Sequence, residues 1–264
     1  YRLYKGAWIF LEESKENLLS EKESKDLLRN GGLMIRNTYD FDTKEETSFW
    51  FIIKDKLEDI SELPSSTRKK IRRALKIYNF RIITLEELRT IAYDIVVSAE
   101  QSYDNLLRNK TKESLECLID EYKNDGNKEC WCVENKISGE IVGFSVNTIK
   151  IDSCEYDNAK CKWESLHDCS QPFYGLFYTM NQYYLGEKKQ KYVSDGSRSI
   201  TEHSNIQPFL EYNFKFRKAY CKLRVYYKWW FGAVVKVLFP FRNIIPLRKV
   251  RAILNMEEYS RNSQ

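Results

Sequence analysis

"SNIQPFLEYNFKFRKAYCKLRVYY", residues 204–227, is the stretch on which the reading of the chain turns. It opens with Ser-Asn, runs through a short amphipathic helix and leaves into an alternating strand studded with Lys, Arg and Tyr. A helix of barely two turns followed by such a strand is a closing unit. Which sheet it closes depends on the elements before it.

Working backward, "KYVSDGSRSI" reads as a strand ending in a loop and "PFYGLFYTMNQYYLGEKKQ" as a helix, with "AKCKWESLH" as a strand candidate ahead of them. "ECWCVENKISGEIVGFSVNTIKI" reads as two strands around a turn at Asn135 to Gly139. A helix is expected from Thr111 to Lys123, ended by Asp125-Gly126, and Thr84 with Glu87 makes a capping box for another through about Ser102. Before it, "NFRIITL" is a short strand, and "SSTRKKIRRALKIYN" a helix with Ser65 or Ser66 as N-cap. Ile71, Ala74, Leu75 and Tyr78 form its apolar face, and Arg68, Lys69, Lys70, Arg72, Arg73 and Lys76 cover the rest. "YRLYKGAWIF", "GLMIRN" and "SFWFIIKD" are strand candidates, with a solvated helix between Leu11 and Asn30 stopped by Gly31-Gly32 and a polar turn near Asp40 to Glu46. From residue 85 the order is helix, helix, three strands, helix, strand, helix, strand: an α+β fold with a mixed sheet.

Length and composition agree with a folded chain. With 264 residues, 42% hydrophobic and 14% aromatic, it can bury a substantial core. Two histidines and seven cysteines without C-x-x-C give no zinc pattern, and reduced thiols in a cytosolic protein are expected. The residues at the start have neither a basic region nor a long apolar stretch, so no secretory signal is expected there. Charge is uneven: between Tyr212 and Met256 stand eleven Lys and Arg and no acidic residue, against a mildly acidic remainder.

The element order resembles that of the GNAT acyltransferases. The hairpin carries Gly139, Gly143 and Phe144 where the family has a G-x-x-x-G-F-type ending. "NIQPFLEY" sets Asn205 and Tyr212 seven apart, as in the family's late helix, with Pro208 where Ala is usual and Lys215 where Gly is expected before Phe216-Arg217. "LPSSTRKKIRRALK" and "FRIITLEEL" are similar to the Fem-type peptidyltransferases, and the combined likeness covers roughly residues 48–227. The expected organisation is an N-terminal α/β lobe (1–84), a GNAT-like domain with a mixed central sheet flanked by helices (85–228) and a basic amphipathic tail (229–264).

The resemblance implies transfer of an acyl group from acyl-CoA, as cosubstrate and with no tightly bound cofactor, to an amine acceptor. A surface-polysaccharide or lipid-linked precursor in a bacterial cytoplasm is the expected acceptor. It makes Glu164, expected on a strand, the general base and Tyr212 the general acid, while Leu166, His167, Gln171, Phe173, Tyr174, Gly175 and Asn205 would hold the donor. Alternatives stay open: Glu164 as a strand carboxylate partnering Lys160 or Lys162, Tyr212 as a ring packed on the sheet, Asp195 as a turn cap. The donor loop "LHDCSQPFYGLF" departs from the family's [RQ]-x-x-G-x-[GA]. Gln171 and Gly175 are one residue too far apart, and Phe177 stands at the second small position. A different donor or a lost site is therefore a second reading, with the chain as a binding module. His167-Asp168-Cys169 is no nucleophile pair, because adjacent residues rarely point at one another, and His203 reads as a loop residue.

The basic helix is either a solvated face or a contact for a polyanion such as tRNA. The tail, "WWFGAVVKVLFPFRNIIPLRKVRAIL", is too short and interrupted to span a bilayer. It fits contact with the inner face of a membrane through 229–254, or a terminal helix docked on the domain or a dimer.

Overall fold

A computed structural model describes residues 1–4, 6–10, 18–100, 111–168, 170–199 and 206–263. Along the chain run β1 (Arg2–Tyr4), β2 (Ala7–Ile9), α1 (Glu21–Arg29), β3 (Met34–Thr43), β4 (Phe49–Lys54), α2 (Ser65–Ile77), β5 (Tyr78–Ile83), α3 (Leu85–Ala99) and α4 (Lys112–Asp125). There follow β6 (Lys128–Asn135), β7 (Ile141–Ile149), β8 (Ser153–Cys161), α5 (Trp163–His167), α6 (Pro172–Asn181), β9 (Tyr192–Ser197), α7 (Ile206–Phe214), β10 (Arg217–Tyr227), α8 (Trp229–Leu238) and α9 (Arg248–Arg261).

Local chemistry explains many of these boundaries. Thr84 accepts from Glu87 N–H while the Glu87 side chain accepts from Thr84 N–H, so α3 starts on a complete capping box. Gly126 ends α4 in the left-handed region at φ 69°. The Asn135–Gly139 turn holds through Gly139 N–H to Asn135 O, 2.9 Å, and Gly139 at φ 69°. Elsewhere the structure corrects the sequence reading. "YRLYKGAWIF" is a hairpin of two short strands instead of one strand. The expected turn at Asp40–Glu46 gives way to a longer β3, with Asp40 and Asp42 at positive φ inside it. The N-cap of α2 is Pro64, with no side-chain bond.

The chain divides into two compact units that interleave along the sequence. The first comprises 1–52, 197–207 and 217–264, the second 53–196 and 208–216. Linear boundaries at 84 and 228 do not describe this division. The basic helix and strand 65–83 fold within the second unit, while 229–264 folds within the first.

In the first unit the strands lie in the order β1-β2-β3-β10-β4, with β3 and β10 antiparallel from Met34↔Tyr227 onward. α9 packs on β10, burying Leu254 and Met256, and Val225 N–H donates to Ser260 Oγ at 3.2 Å. This half of the expected tail is thus integral to the unit.

In the second unit the order is β9-β8-β7-β6-β5, antiparallel except for the parallel pair β8/β9. One core joins Leu88, Ile95 and Val96 of α3 and Leu115 and Ile119 of α4 to Cys130, Cys132, Phe144 and Val146 of the sheet. Each such buried Leu or Ile contributes roughly 2 kcal/mol relative to exposure. Burial pushes the Cys130 and Cys132 thiols up to about 12 and about 11, so they are inert apolar groups.

Candidate active site

The functional geometry of the second unit starts from β8 and β9. They pair only from Ser153↔Tyr192 to Glu155↔Ser194, after which Tyr156–Cys161 runs on beside β7 and the β8/β9 pairing does not extend to Asp195–Ser197. Parallel strands that part in this way open a wedge at their C-terminal ends, where α/β sheets place ligands. The segment leaving β8 runs straight into α5, a short loop and α6.

That segment is tied down tightly. β8 ends at Cys161, Lys162 N–H makes a last bond to β7 at Val142 O, 2.8 Å, and α5 begins at Trp163, earlier than "AKCKWESLH" suggests. Glu164 therefore lies in the first turn of α5 instead of on a strand. Its exposed carboxylate accepts from Ser98 Oγ at 2.8 Å, and Ser98 Oγ also accepts from Trp163 N–H at 2.9 Å. Its own backbone N–H, then Ser98, hold its pKa below the usual carboxylate value, with Lys162 adding to the effect. A lowered pKa keeps it ionised and makes it a weak base. Leu166 is half-buried, and the exposed His167 has its Nδ1 2.9 Å from Trp163 O, with the two rings in tilted contact, 3.4 Å between centroids.

Beyond α5, Ser170 N–H donates to Asp168 Oδ1 at 2.7 Å. Ser170 Oγ accepts from Tyr78 OH at 2.8 Å and faces Ser165 O and the Asp168 carboxylate. Gln171 then adopts the left-handed conformation at φ 57° and caps α6 without a side-chain bond, with Pro172 next. The N-terminus of α6 thus begins beside the wedge with no side-chain acceptor at its cap, the arrangement that suits an anion.

The first turn of α6 carries Phe173, Tyr174 and Gly175. Phe173 is half-buried against Phe177, which is fully buried. Tyr174 OH accepts from Lys70 Nζ at 2.9 Å, and the same ammonium lies 4.6 Å from the ring centre. Gly175 has a packing reason for its size: a Cβ there would stand 2.2 Å from Phe80 Cζ and 2.9 Å from Ala74 Cβ. It lets α6 settle against β5 and α2, so the smallness that resembles a phosphate loop is used by the protein itself. Tyr212 is 70% exposed on α7. Asn205, His203 and Cys169 lie outside the described residues.

Sequence reasoning missed two features. Lys70 was grouped with a solvated basic face; its place beside Thr67, Ile71 and Ala74, all buried, is the signal that it flanks the packed side. The second is a buried polar chain on the α6 side of the sheet, positioned by the π-helical turn Gln182–Glu187 that continues α6. Tyr184 OH donates to Glu129 Oε1 at 2.6 Å and accepts from Trp131 Nε1 at 2.9 Å and Asn147 Nδ2 at 3.1 Å. Ser145 Oγ donates to Asn147 Oδ1 at 2.7 Å. Burial, then Cys154 and Glu129, push the Tyr184 phenol well above its ordinary range, so it stays neutral and donates.

Parallel strands that part beside the start of the following helix, within a mixed α+β sheet, make this a GNAT-like fold of the Fem type. Among solved structures the chain is similar to FemX, at 12% identity and TM-score 0.57 over 85% of this chain and 82% of that one. It is also similar to L-PGS from Bacillus licheniformis, at 12% identity and TM-score 0.51 over 83% and 75%. A third is the C-terminal domain of a protein from Agrobacterium fabrum assigned as a lysylphosphatidylglycerol synthetase, at 10% identity and TM-score 0.53 over 90% and 82%. No family model matches the sequence, and no curated protein sequence matches it.

Proposed function

We propose that the chain is a transferase that moves an acyl group from an activated, phosphate-bearing donor to an amine acceptor. The observation that carries this is the parting of β8 and β9 beside the unbonded cap of α6. A donor phosphate would meet the N-terminal end of α6 at Phe173, the next N–H, of Tyr174, being donated to Gln171 O, with the Lys70 ammonium on Tyr174 OH adding positive charge. The acyl carbonyl would lie along β8 in the wedge. There the amine attacks the carbonyl carbon, the acyl bond to the donor breaks and the donor leaves with the electron pair. Glu164, ionised and exposed, would take the amine's proton through water. With a thioester donor the thiolate, of pKa about 8.5, departs without an acid and Tyr212 needs no role; an ester donor, whose alkoxide is far more basic, would need a proton from Tyr212 or water.

Acyl-CoA is the first donor candidate and a charged tRNA the second. The second draws support from Lys69, Arg72, Arg73 and Lys76, exposed along the same helix as Lys70, which suit an extended polyanion. A lipid-linked acceptor at the inner membrane face of a bacterial cytoplasm completes the reading. The name of one structural neighbour, a lysylphosphatidylglycerol synthetase, supports it by analogy of fold. The rival is a binding module without a donor site, favoured by Phe177 and Gly175 being consumed in packing.

Thermal stability measured with acetyl-CoA, longer acyl-CoAs, free CoA and charged tRNA tests this. A rise with acyl-CoA, reduced in Lys70→Met, supports the transferase and its donor. A rise with charged tRNA alone changes the donor. No rise with any of them removes the transferase and leaves the binding module.

A further inference from the structure

The first unit carries a surface that neither the transfer chemistry nor the core uses. α8 turns Val235 inward, and the Phe231 ring meets Tyr227 at a tilt, 5.9 Å between centroids. Its opposite face is no less apolar. Trp229 is 84% exposed and Val237 67%, with Trp230 and Val234 between them. The turn after α8 continues the surface through Ile244, 75% exposed, and Leu247, 65% exposed. A soluble surface seldom presents so much contiguous apolar area without an occupant.

The charges around it name that occupant. Lys236, Arg248 and Lys249 are exposed and take part in none of the ion pairs among the described residues. Acidic residues return only at Glu257, and Glu257 and Glu258 are engaged with Arg261 and Arg242. A two-fold contact with a second copy would set these cations against their like, whereas an anionic lipid surface complements them. Spanning is not available. α8 has ten residues, about 15 Å of helix, Pro240 and Pro246 break the segment between α8 and α9, and no described helix is long and apolar enough to cross a membrane.

We propose that residues 229–247 dock on an anionic lipid surface. α8 lies in the interfacial plane with Trp229 and Trp230 at headgroup depth, Val234, Val237, Ile244 and Leu247 among the upper acyl chains, and Lys236, Arg248 and Lys249 on the phosphates. α9 takes no part, because its apolar side is spent on β10. The surface is read independently of the transfer reaction, and either can fail without the other.

The test is co-sedimentation of the full chain with phosphatidylcholine vesicles, with and without about one-third phosphatidylglycerol. Binding to the anionic vesicles and little to the neutral ones is expected. Trp229→Ser/Trp230→Ser/Val237→Ser should weaken it at least about tenfold, with the circular dichroism spectrum unchanged since all three side chains are exposed. Lys236→Gln/Arg248→Gln/Lys249→Gln should remove the preference for anionic lipid. A blue shift of tryptophan fluorescence on vesicles, lost in the Trp variant, gives a second readout. Equal sedimentation of the wild type and the triple Trp/Val variant overturns the proposal. So does a wild type that ignores vesicles and instead forms a dimer dissolved by the same substitutions.

Discussion

Gly175→Ala asks whether the glycine at the start of α6 serves a ligand or the fold. The added methyl meets two neighbours, and they yield differently. Phe80 Cζ, 2.2 Å away, is the far end of a half-buried ring on β5 and can swing outward. Surrendering about a third of its burial costs roughly 1 kcal/mol. Ala74 Cβ, 2.9 Å away, is fixed to the backbone of α2, so that helix must shift by a few tenths of an ångström against α6. Overpacking of this kind costs about 1–3 kcal/mol, which brings the expected total to about 3 kcal/mol. Urea unfolding of the unliganded protein measures it. Phe80→Ala should cost about 1 kcal/mol less in the Gly175→Ala background than in the wild type, because there it also removes the ring clash while leaving the Ala74 one, a coupling of about 1 kcal/mol. A variant within about 0.5 kcal/mol of wild type that has lost its stabilisation by donor would refute the reasoning. The glycine would then exist for ligand approach.

Other outcomes are expected from the same structure. Lys54 is 4% exposed in its side chain and paired with Glu58, and burial lowers its pKa despite that partner. Glu58→Gln should cost about 3 kcal/mol at neutral pH. Since the unfolded lysine keeps its proton to about pH 10.4, the unfolded chain binds more protons above the folded pKa, and the variant's stability deficit must shrink as pH rises; a deficit constant between about pH 7 and 9.5 by urea melts contradicts this. Tyr184→Phe strips Glu129, Trp131 and Asn147 of one shared partner and should cost about 2 kcal/mol by denaturant titration; a loss under about 0.5 kcal/mol would mean those groups find other partners. Lys70→Met should weaken donor affinity about tenfold and, through the lost Tyr174 contacts, cost about 1 kcal/mol of unfolding free energy, as seen by calorimetric titration at a temperature where both proteins stay folded and by an unfolding curve; equal affinity would detach Lys70 from the donor.

What was legible in the sequence was local. The Thr84–Glu87 box, Gly126 and the Asn135–Gly139 turn each depend on residues within a few positions, and each element boundary they set is where the sequence puts it. The order of elements was legible for the same reason, and with it the fold. Glu164 was misplaced because K-C-K-W-E-S keeps a strand's alternation after the backbone has left the sheet at Lys162. The Lys70–Tyr174 contact joins residues 104 apart, and Gly175 owes its identity to Phe80 and Ala74. No window of sequence contains both partners of such contacts. The interleaving of the two units escaped for the same cause: residues 217–264 return to strands made at the start of the chain.

That return has a cost in time. β10 lies between β3 and β4, pairing Tyr227 with Met34, yet the ribosome releases it only after residues 55–216 have followed β4. Until then β3 and β4, with the apolar run Phe49–Ile53, offer two unsatisfied edges separated by an empty slot. Contacts of such long sequence separation close slowly, and open strand edges invite pairing with the wrong chain. The nascent protein therefore passes through a stage in which its second unit can be nearly complete while its first is an aggregation hazard, and any truncation before Tyr227 would hold it there.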